Sequence, residues 1–475
     1  MLRLSLVYFL IRGANGLLSV LALALLSRFL TSEDYGRYAL IMAASAVIAT
    51  VGFQWVNVAV ARFYAVSAGQ RGPLIYEALR FYGVMLFPLT IVMVVLVGLP
   101  PWPWMSPNVG ILVGLGALGL AIHALGLQFA NAVGVPKVYS EITLIRSLVG
   151  LGLAVSLVLL GFSAEGAAAG FAVAAFLSVL AIRQVWPEFQ LSSDSKLRRS
   201  MLSYGLPLGI VYISNMTLEF SGRFLVGFFY GESAVGGFAA GFDLVQLIAG
   251  SSANALFLAA YPLVVRDWEQ GGAAVAKVSM NRLLDLTLLS LPLIIASFVV
   301  LPGQVASVVF GESLRRGAIE VMPWAVAAIV FSTLKAFYLD VAFQLAKRTK
   351  LQLWITVLMA LVNLIMAMIL LPGLGPQGAA IASTIAFAVG ALLSWWFGRT
   401  QFLYDLRMSV LLKTAFVTAV VSITALQTNS DESATFQTLM LTLIWMIVAF
   451  AASSWAVDLG GFRLICSSIF RRLGR

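Results

Sequence analysis

Of the 475 residues, 61% are apolar and 11% charged, whereas a soluble domain carries about a quarter charged residues, so the chain reads as an integral membrane protein. No separate catalytic or nucleotide-binding domain fits, no lysine follows a glycine as a phosphate-cradling Gly-Lys loop requires, and a single cysteine (Cys466) and a single histidine (His123) leave no disulfide or Cys/His metal cluster. The net charge of +10 is read as cytoplasmic loop charge, with no nucleic acid and no cofactor expected.

Apolar runs predict about fourteen transmembrane helices, centred near residues 18, 49, 91, 122, 151, 175, 215, 250, 291, 331, 361, 387, 418 and 446. In the first run Arg12 and Asn15 interrupt the apolar core that a cleaved signal peptide needs, so this run is a span. Ser5, Arg12, Asn15 and Ser19 fall on one stripe of it, expected to face a cavity. Between the third and fourth runs, Trp102 and Trp104 in a proline-rich connection are expected to anchor in the headgroups. His123, mid-span, is expected to be a hydrogen-bonded packing residue. Arg146 follows in the fifth span, where it either snorkels or faces a cavity.

The most polar connection, Pro187 to Ser200, separates two six-helix halves. The expected organisation is a bundle over 1–186, a cytoplasmic linker over 187–200, a second bundle over 201–399, two additional helices over 400–457 and an amphipathic tail over 458–475. Two echoes support an internal repeat: Gly36-Arg37-Tyr38-Ala39 with Gly236-Gly237-Phe238-Ala239, and Gly166-Ala167-Ala168 with Gly378-Ala379-Ala380. An even number of spans per half implies parallel repeats about the membrane normal.

Pro207, flanked by Gly205 and Gly209, is expected to weaken the seventh span near its start. Within that span Asn215, Glu219 and Arg223 stand at i, i+4 and i+8, either as a self-paired ladder or as a place where a carboxylate couples transport to an ion. Pro88, Pro262, Pro292 and Pro323 read as tolerated kinks, and Asp243 and Asp285 as span-end residues bound to backbone or water. Lys335 lies too deep in the tenth span to snorkel, and Asp340, five residues on, falls on a different part of an α-helical wheel. Alternate connections hold 22 Lys and Arg residues against four (Arg28, Arg37, Arg315, Arg316) in the others, which predicts cytoplasmic termini and a cytoplasmic linker.

The run LLSRFLTSEDYGRYAL at Leu25 to Leu40, the segment LPGLGPQGAAIASTIA at Leu371 to Ala386, the SYGLPLGI run before the seventh span and the 6 + 6 + 2 layout resemble polysaccharide repeat-unit flippases. These belong to the multidrug/oligosaccharidyl-lipid/polysaccharide exporter superfamily. The resemblance implies a transporter, not an enzyme, in a bacterial inner membrane. It implies as substrate an undecaprenyl-diphosphate-linked oligosaccharide, flipped to the outer leaflet for O-antigen or exopolysaccharide synthesis, and as partners membrane lipids, a polysaccharide polymerase and a chain-length regulator. Drug antiporters of the superfamily carry a carboxylate in the first helix, but here the first acid is Glu33. The lipid II branch expects an Arg-Asp pair after the first span, where this chain has Ser32-Glu33-Asp34.

Four cations inside spans, Arg12, Arg146, Arg223 and Lys335, are too costly to face lipid. With Asn15 they are expected to line a cavity and attract the diphosphate, leaving Glu219 and Asp340 as candidates for ion coupling. The alternatives are an ion-coupled small-molecule antiporter and a membrane polysaccharide polymerase. The longest outer connection, near Pro302 to Gly317, is short for a polymerase's catalytic loop.

Overall fold

The computed structural model describes residues 2–64, 71–98, 104–133, 136–180, 193–400, 404, 407–428, 436–464 and 466–467, with side chains in the first helix described from Gly13 onward. Regular structure among these residues is entirely helical, as lipid demands: the bilayer core offers backbone groups no water, and a helix satisfies them within one segment. The helices are α1 (Leu2–Phe29), α2 (Ser32–Tyr64), α3 (Arg71–Gly98), α4 (Pro107–Val133), α5 (Pro136–Leu157), α6 (Ser163–Leu180), α7 (Ser195–Gly205) and α8 (Leu208–Val245). There follow α9 (Ser251–Ile295), α10 (Pro302–Val309), α11 (Glu312–Leu334), α12 (Val341–Leu345), α13 (Thr349–Leu374), α14 (Gln377–Gly398), α15 (Met408–Thr428) and α16 (Phe436–Val457).

Ten helical runs are long and apolar enough to cross a membrane. The run 137–179 breaks at Gly161, and the run 208–300 breaks at Gly231 and Gly272, with φ of 93°, 79° and 67°. Only glycine enters that left-handed region without a side-chain penalty. With these breaks counted, and the shorter apolar stretch Gly13–Phe29 added, the described residues contain fourteen apolar helical segments, each covering one predicted centre. The protein is a multi-pass, all-α membrane protein.

Packing divides the chain into two compact units, Met1–Ala239 and Ala240–Arg475. In the first, Phe53, Trp55, Val56, Leu74, Phe81 and Phe129 form the core. The Tyr82 hydroxyl there lies 2.7 Å from Asn57 Oδ1 and 2.8 Å from the Ala121 carbonyl, joining α2, α3 and α4. The linker helix α7 is capped by Asp194, whose carboxylate accepts from the amides of Lys196 and Leu197. The buried Glu77 of α3 accepts from the Ser193 hydroxyl at 2.6 Å and the Asp194 amide at 3.1 Å. Pro207 falls between α7 and α8, a correction to the expected weakening within a span: at a helix junction its missing N–H breaks no ladder.

Where α1 turns into α2, Arg37 donates to Glu232 at 2.6 Å, with Glu165 at 3.5 Å and Glu33 at 3.8 Å. Ser32 and Ser233 are hydrogen-bonded at 2.7 Å. The Gly36 backbone lies against Glu232 and Gly236, so the two stretches that echo each other in the sequence pack directly together.

In the second unit Met280, Leu284, Leu339, Val417, Val421 and Met446 are core residues, and α15 and α16 pack with α9. Asp285 does not rest on backbone or water as expected: both its oxygens accept from Arg407 Nη2 at 2.6 Å, because the chain after α14 returns to the second half of α9. Trp104 is also a correction, since it is buried at 4% exposure and its indole is covered by protein; Trp102 lies outside the described residues. At the tail, Phe462 packs on Phe450, and Arg463 donates to the Trp455 and Ala456 carbonyls at the end of α16; residues 468–475 lie outside the described residues.

A Cβ at Gly36 would stand 1.8 Å from the Glu232 carbonyl oxygen, whereas one at Gly52, in the same helix, would meet nothing within 4 Å. Gly36→Ala should therefore lower the melting temperature of the purified protein sharply. Gly52→Ala should leave it equal or raise it, since alanine is favoured over glycine inside a helix by about 0.5–1 kcal/mol. Equal melting for both variants would refute the close packing at Gly36.

Candidate functional site

Arg146 stands ten residues into α5, about 15 Å along a helix that rises 1.5 Å per residue. Its Nε is buried without a hydrogen-bond partner, and no carboxylate pairs with it among the described residues. The next residue, Ser147, reaches Asn15 Oδ1 on α1 and lies 3.0 Å from the Thr143 carbonyl. Ser19 in turn donates to the Asn15 carbonyl at 2.9 Å. The Asn15–Ser147 contact fixes the register of α1 against α5. Position 12 lies one turn before Asn15 on α1. The Arg12 side chain itself lies outside the described residues.

His123 of α4 and Tyr38 of α2 lie within the field of the Arg146 guanidinium. As expected, His123 is a hydrogen-bonded packing residue: Nδ1 lies 2.8 Å from Ser178 Oγ on α6, and Ser178 lies 2.7 Å from the Ala175 carbonyl. A hydroxyl with one proton satisfies both contacts if Nδ1–H donates to Ser178 and Ser178 donates to Ala175. On α8, Arg223 is buried with its guanidinium 5.2 Å from the Phe220 ring centre, and Asn215 and Glu219 are exposed.

In the second unit Lys335 and Asp340 meet. The ammonium donates to Asp340 Oδ2 at 2.6 Å, and both residues are buried. The α-helical wheel put them on different faces, and the structure corrects this through the π-helical turn Lys335–Leu339. There the Asp340 amide bonds to the Lys335 carbonyl, five residues back, at 2.8 Å, which stacks i over i+5 where an α-helix stacks i over i+4. Gln352 of α13 donates to Oδ2 at 3.2 Å, and Ser394 of α14 donates to Oδ1 at 2.7 Å. Just outside the spans, Tyr404 donates to the Leu339 carbonyl at 2.6 Å. Burial holds its phenol above the usual value, so it remains a donor.

Sequence reasoning missed Ser147, Gln352 and Ser394. Polar residues of this size are common in membrane helices, and only Ser147, adjacent to Arg146, carried a signal. Arg37, counted as a flank charge, proved to be an ion-pair centre.

The family model described as polysaccharide biosynthesis protein matches residues 1–268. No curated protein matched the sequence. Among solved structures, the lipid II flippase MurJ in an inward closed conformation is similar over 99% of this chain and all of its own, with a TM-score of 0.77 at 15% identity. An inward-facing multidrug resistance MATE family transporter of the MOP superfamily is similar over 86% of this chain and 99% of its own, with a TM-score of 0.55 at 20% identity. A MOP superfamily transporter from Pyrococcus furiosus, described by the reverse polarity of its binding pocket, reaches 0.55 at 15% identity, over 84% and 94% of the two chains. At these identities the likeness is one of fold.

The His123–Ser178 contact makes a stability prediction. Ser178→Ala strands a buried ring nitrogen and should cost about 1–3 kcal/mol, read as a fall in melting temperature. The double variant His123→Leu/Ser178→Ala should recover part of it, since it leaves no polar atom unpaired. A Ser178→Ala variant that melts with the parent would remove the hydrogen bond from this account.

Proposed function

We propose that this chain, which belongs to the polysaccharide biosynthesis protein family, is a transporter that moves lipid-diphosphate-linked oligosaccharides from the inner to the outer leaflet of a bacterial inner membrane. The observation that carries this reading is Arg146, an arginine deep in a helix bundle with a buried unpartnered Nε and no carboxylate beside it among the described residues. Such a cation is costly unless an anion reaches it. The diphosphate is the charged group common to lipid-linked sugars, and the planar fork of arginine gives it two parallel charge-assisted hydrogen bonds.

Arg12, on the neighbouring turn of α1, and Asn15, held by Ser147, complete the phosphate site in this reading, and the buried Arg223 of α8 extends it. Lys335 is assigned a different role, since its ammonium is already bound to Asp340. Of the two acids considered for coupling, Glu219 is exposed on α8, whereas both oxygens of Asp340 accept hydrogen bonds. The family description supports a role in polysaccharide biosynthesis, and the likeness in fold to the MurJ flippase supports a transporter. The 22-to-4 cation bias supports cytoplasmic termini. A polysaccharide polymerase and a chain-length regulator are the partners this role calls for.

The likeness to MATE transporters favours the second reading, a small-molecule antiporter. Binding separates the two. Arg146→Ala should weaken capture of an undecaprenyl-diphosphate-linked oligosaccharide about 10- to 100-fold, the scale of one hydrogen-bonded charge at roughly 1.5–3 kcal/mol. It should also remove surface polysaccharide while the protein stays in the membrane, and Arg146→Lys should lose less. Unchanged binding and export with Arg146→Ala would end the phosphate assignment, and export of cationic drugs by the parent protein would favour the antiporter.

A further inference from the structure

Arg37 draws together three places where one helix ends and another begins. Its Nε donates to Glu232 Oε2 at 2.6 Å, with Nη2 3.5 Å from Oε1. Nη1 lies 3.5 Å from Glu165 and Nη2 3.8 Å from Glu33. Glu33 stands in the first turn of α2, Glu165 in the first turn of α6 and Glu232 directly after the break at Gly231. The free amides of a helix start favour an acid there, which accounts for each acid but not for their convergence on one guanidinium. The three partners are also unequal: the Glu232 side chain is 12% exposed, Glu165 39% and Glu33 66%. Beside the near, mostly buried partner, residues 232–236 rest on α2 through the Ser32–Ser233 contact and the Gly36 backbone, and buried Val235 and Leu40 pack against Gly227. A static pair needs one carboxylate, and this arginine has two more within 4 Å.

We propose that Arg37 is a partner-exchange latch, which holds residues 232–236 on α2 while this end of the protein is shut and passes to Glu165 and Glu33 when it opens. The inference rests on the transport reading, in which this end faces outside and opens to release the cargo. Parting from Glu232 without a replacement would leave the guanidinium uncompensated. Glu33, one turn before Arg37 on the same helix, and Glu165 supply that replacement, while the Glu232 carboxylate gains water. Exposed pairs each contribute little, so the exchange lowers the cost of opening without holding the end open.

The test uses the full chain in membranes, with Cys466→Ser to remove its one cysteine and Val235→Cys to put a thiol at a buried position under the latch. The rate at which a maleimide reacts with that thiol reads how often the end opens. Glu232→Gln should speed the reaction about tenfold, because the shut end loses its charged hydrogen bond. Glu33→Gln/Glu165→Gln should slow it about two- to threefold, because the open end loses its exposed pairs. Should Glu232→Gln fail to accumulate, Glu232→Asp, with a shorter reach, should speed the reaction likewise. The exchange is overturned if Glu33→Gln/Glu165→Gln leaves the rate unchanged or raises it, since those acids then do not serve an open end. It is equally overturned if neither variant of Glu232 reacts faster than the parent. Export is read separately: in the Cys466→Ser chain, oxidising Ser32→Cys/Ser233→Cys to a disulfide should stop the appearance of surface polysaccharide, and dithiothreitol should restore it. Export that continues through the disulfide, with both labelling shifts as expected, would refute the transport reading and leave the exchange standing.

Discussion

A charge in or beside a membrane bundle has to be compensated, and the ion pairs of this protein show how several are met. Lipid cannot solvate an ion, and even on lenient scales a lysine or arginine at mid-bilayer costs about 2.5–3.5 kcal/mol. Lys335 is met by Asp340 in a fully hydrogen-bonded shell, Asp285 by both contacts from Arg407, and Arg37 by Glu232 with two further carboxylates nearby. Arg146 has no carboxylate among the described residues, and its Nε is buried without a partner. In the proposed transport reading, that arginine is the group that receives the anion.

These pairs also fasten helices that the chain order keeps far apart. Arg407 ties the segment before α15 to the second half of α9, which seats the last two helices on the second unit. Arg37 and Ser32 hold the start of α2 to residues 232 and 233, beside the break at Gly231. Glu77 secures the start of the linker helix, and Gly205 lets the other end of that helix lie against Trp55. The polar contacts among these act where apolar packing between helices is weak in specificity, since lipid tails offer a leucine nearly the same surroundings as another helix does.

Most of the architecture was legible in the sequence, and the site was legible only in part. The fourteen spans could be read because a spanning helix must be long and apolar, a property of composition along the chain. Arg146, Arg223 and Lys335 could be picked out as costly residues from their positions alone. What each cation touches could not be read. The wheel argument that separated Lys335 from Asp340 assumed 3.6 residues per turn throughout, and one π-helical turn reversed it. Trp104 was read as an interface anchor from its residue type and its proline-rich loop, but the protein covers it. Asp285 and Arg407 are 122 residues apart, beyond any periodicity.

By itself, then, the sequence determined that this is an all-α membrane protein, where its helices run and which buried charges need partners, because hydrophobicity and charge are local properties written residue by residue. Only the tertiary structure decided which charges are neutralised. It showed Lys335 bound to Asp340, Asn15 held by Ser147 beside Arg146, and Gly36 seated on Glu232 and Gly236. Those outcomes depend on the register between helices and on one wide helical turn. Register is set by the packing of whole helices against each other, which no local stretch of sequence encodes.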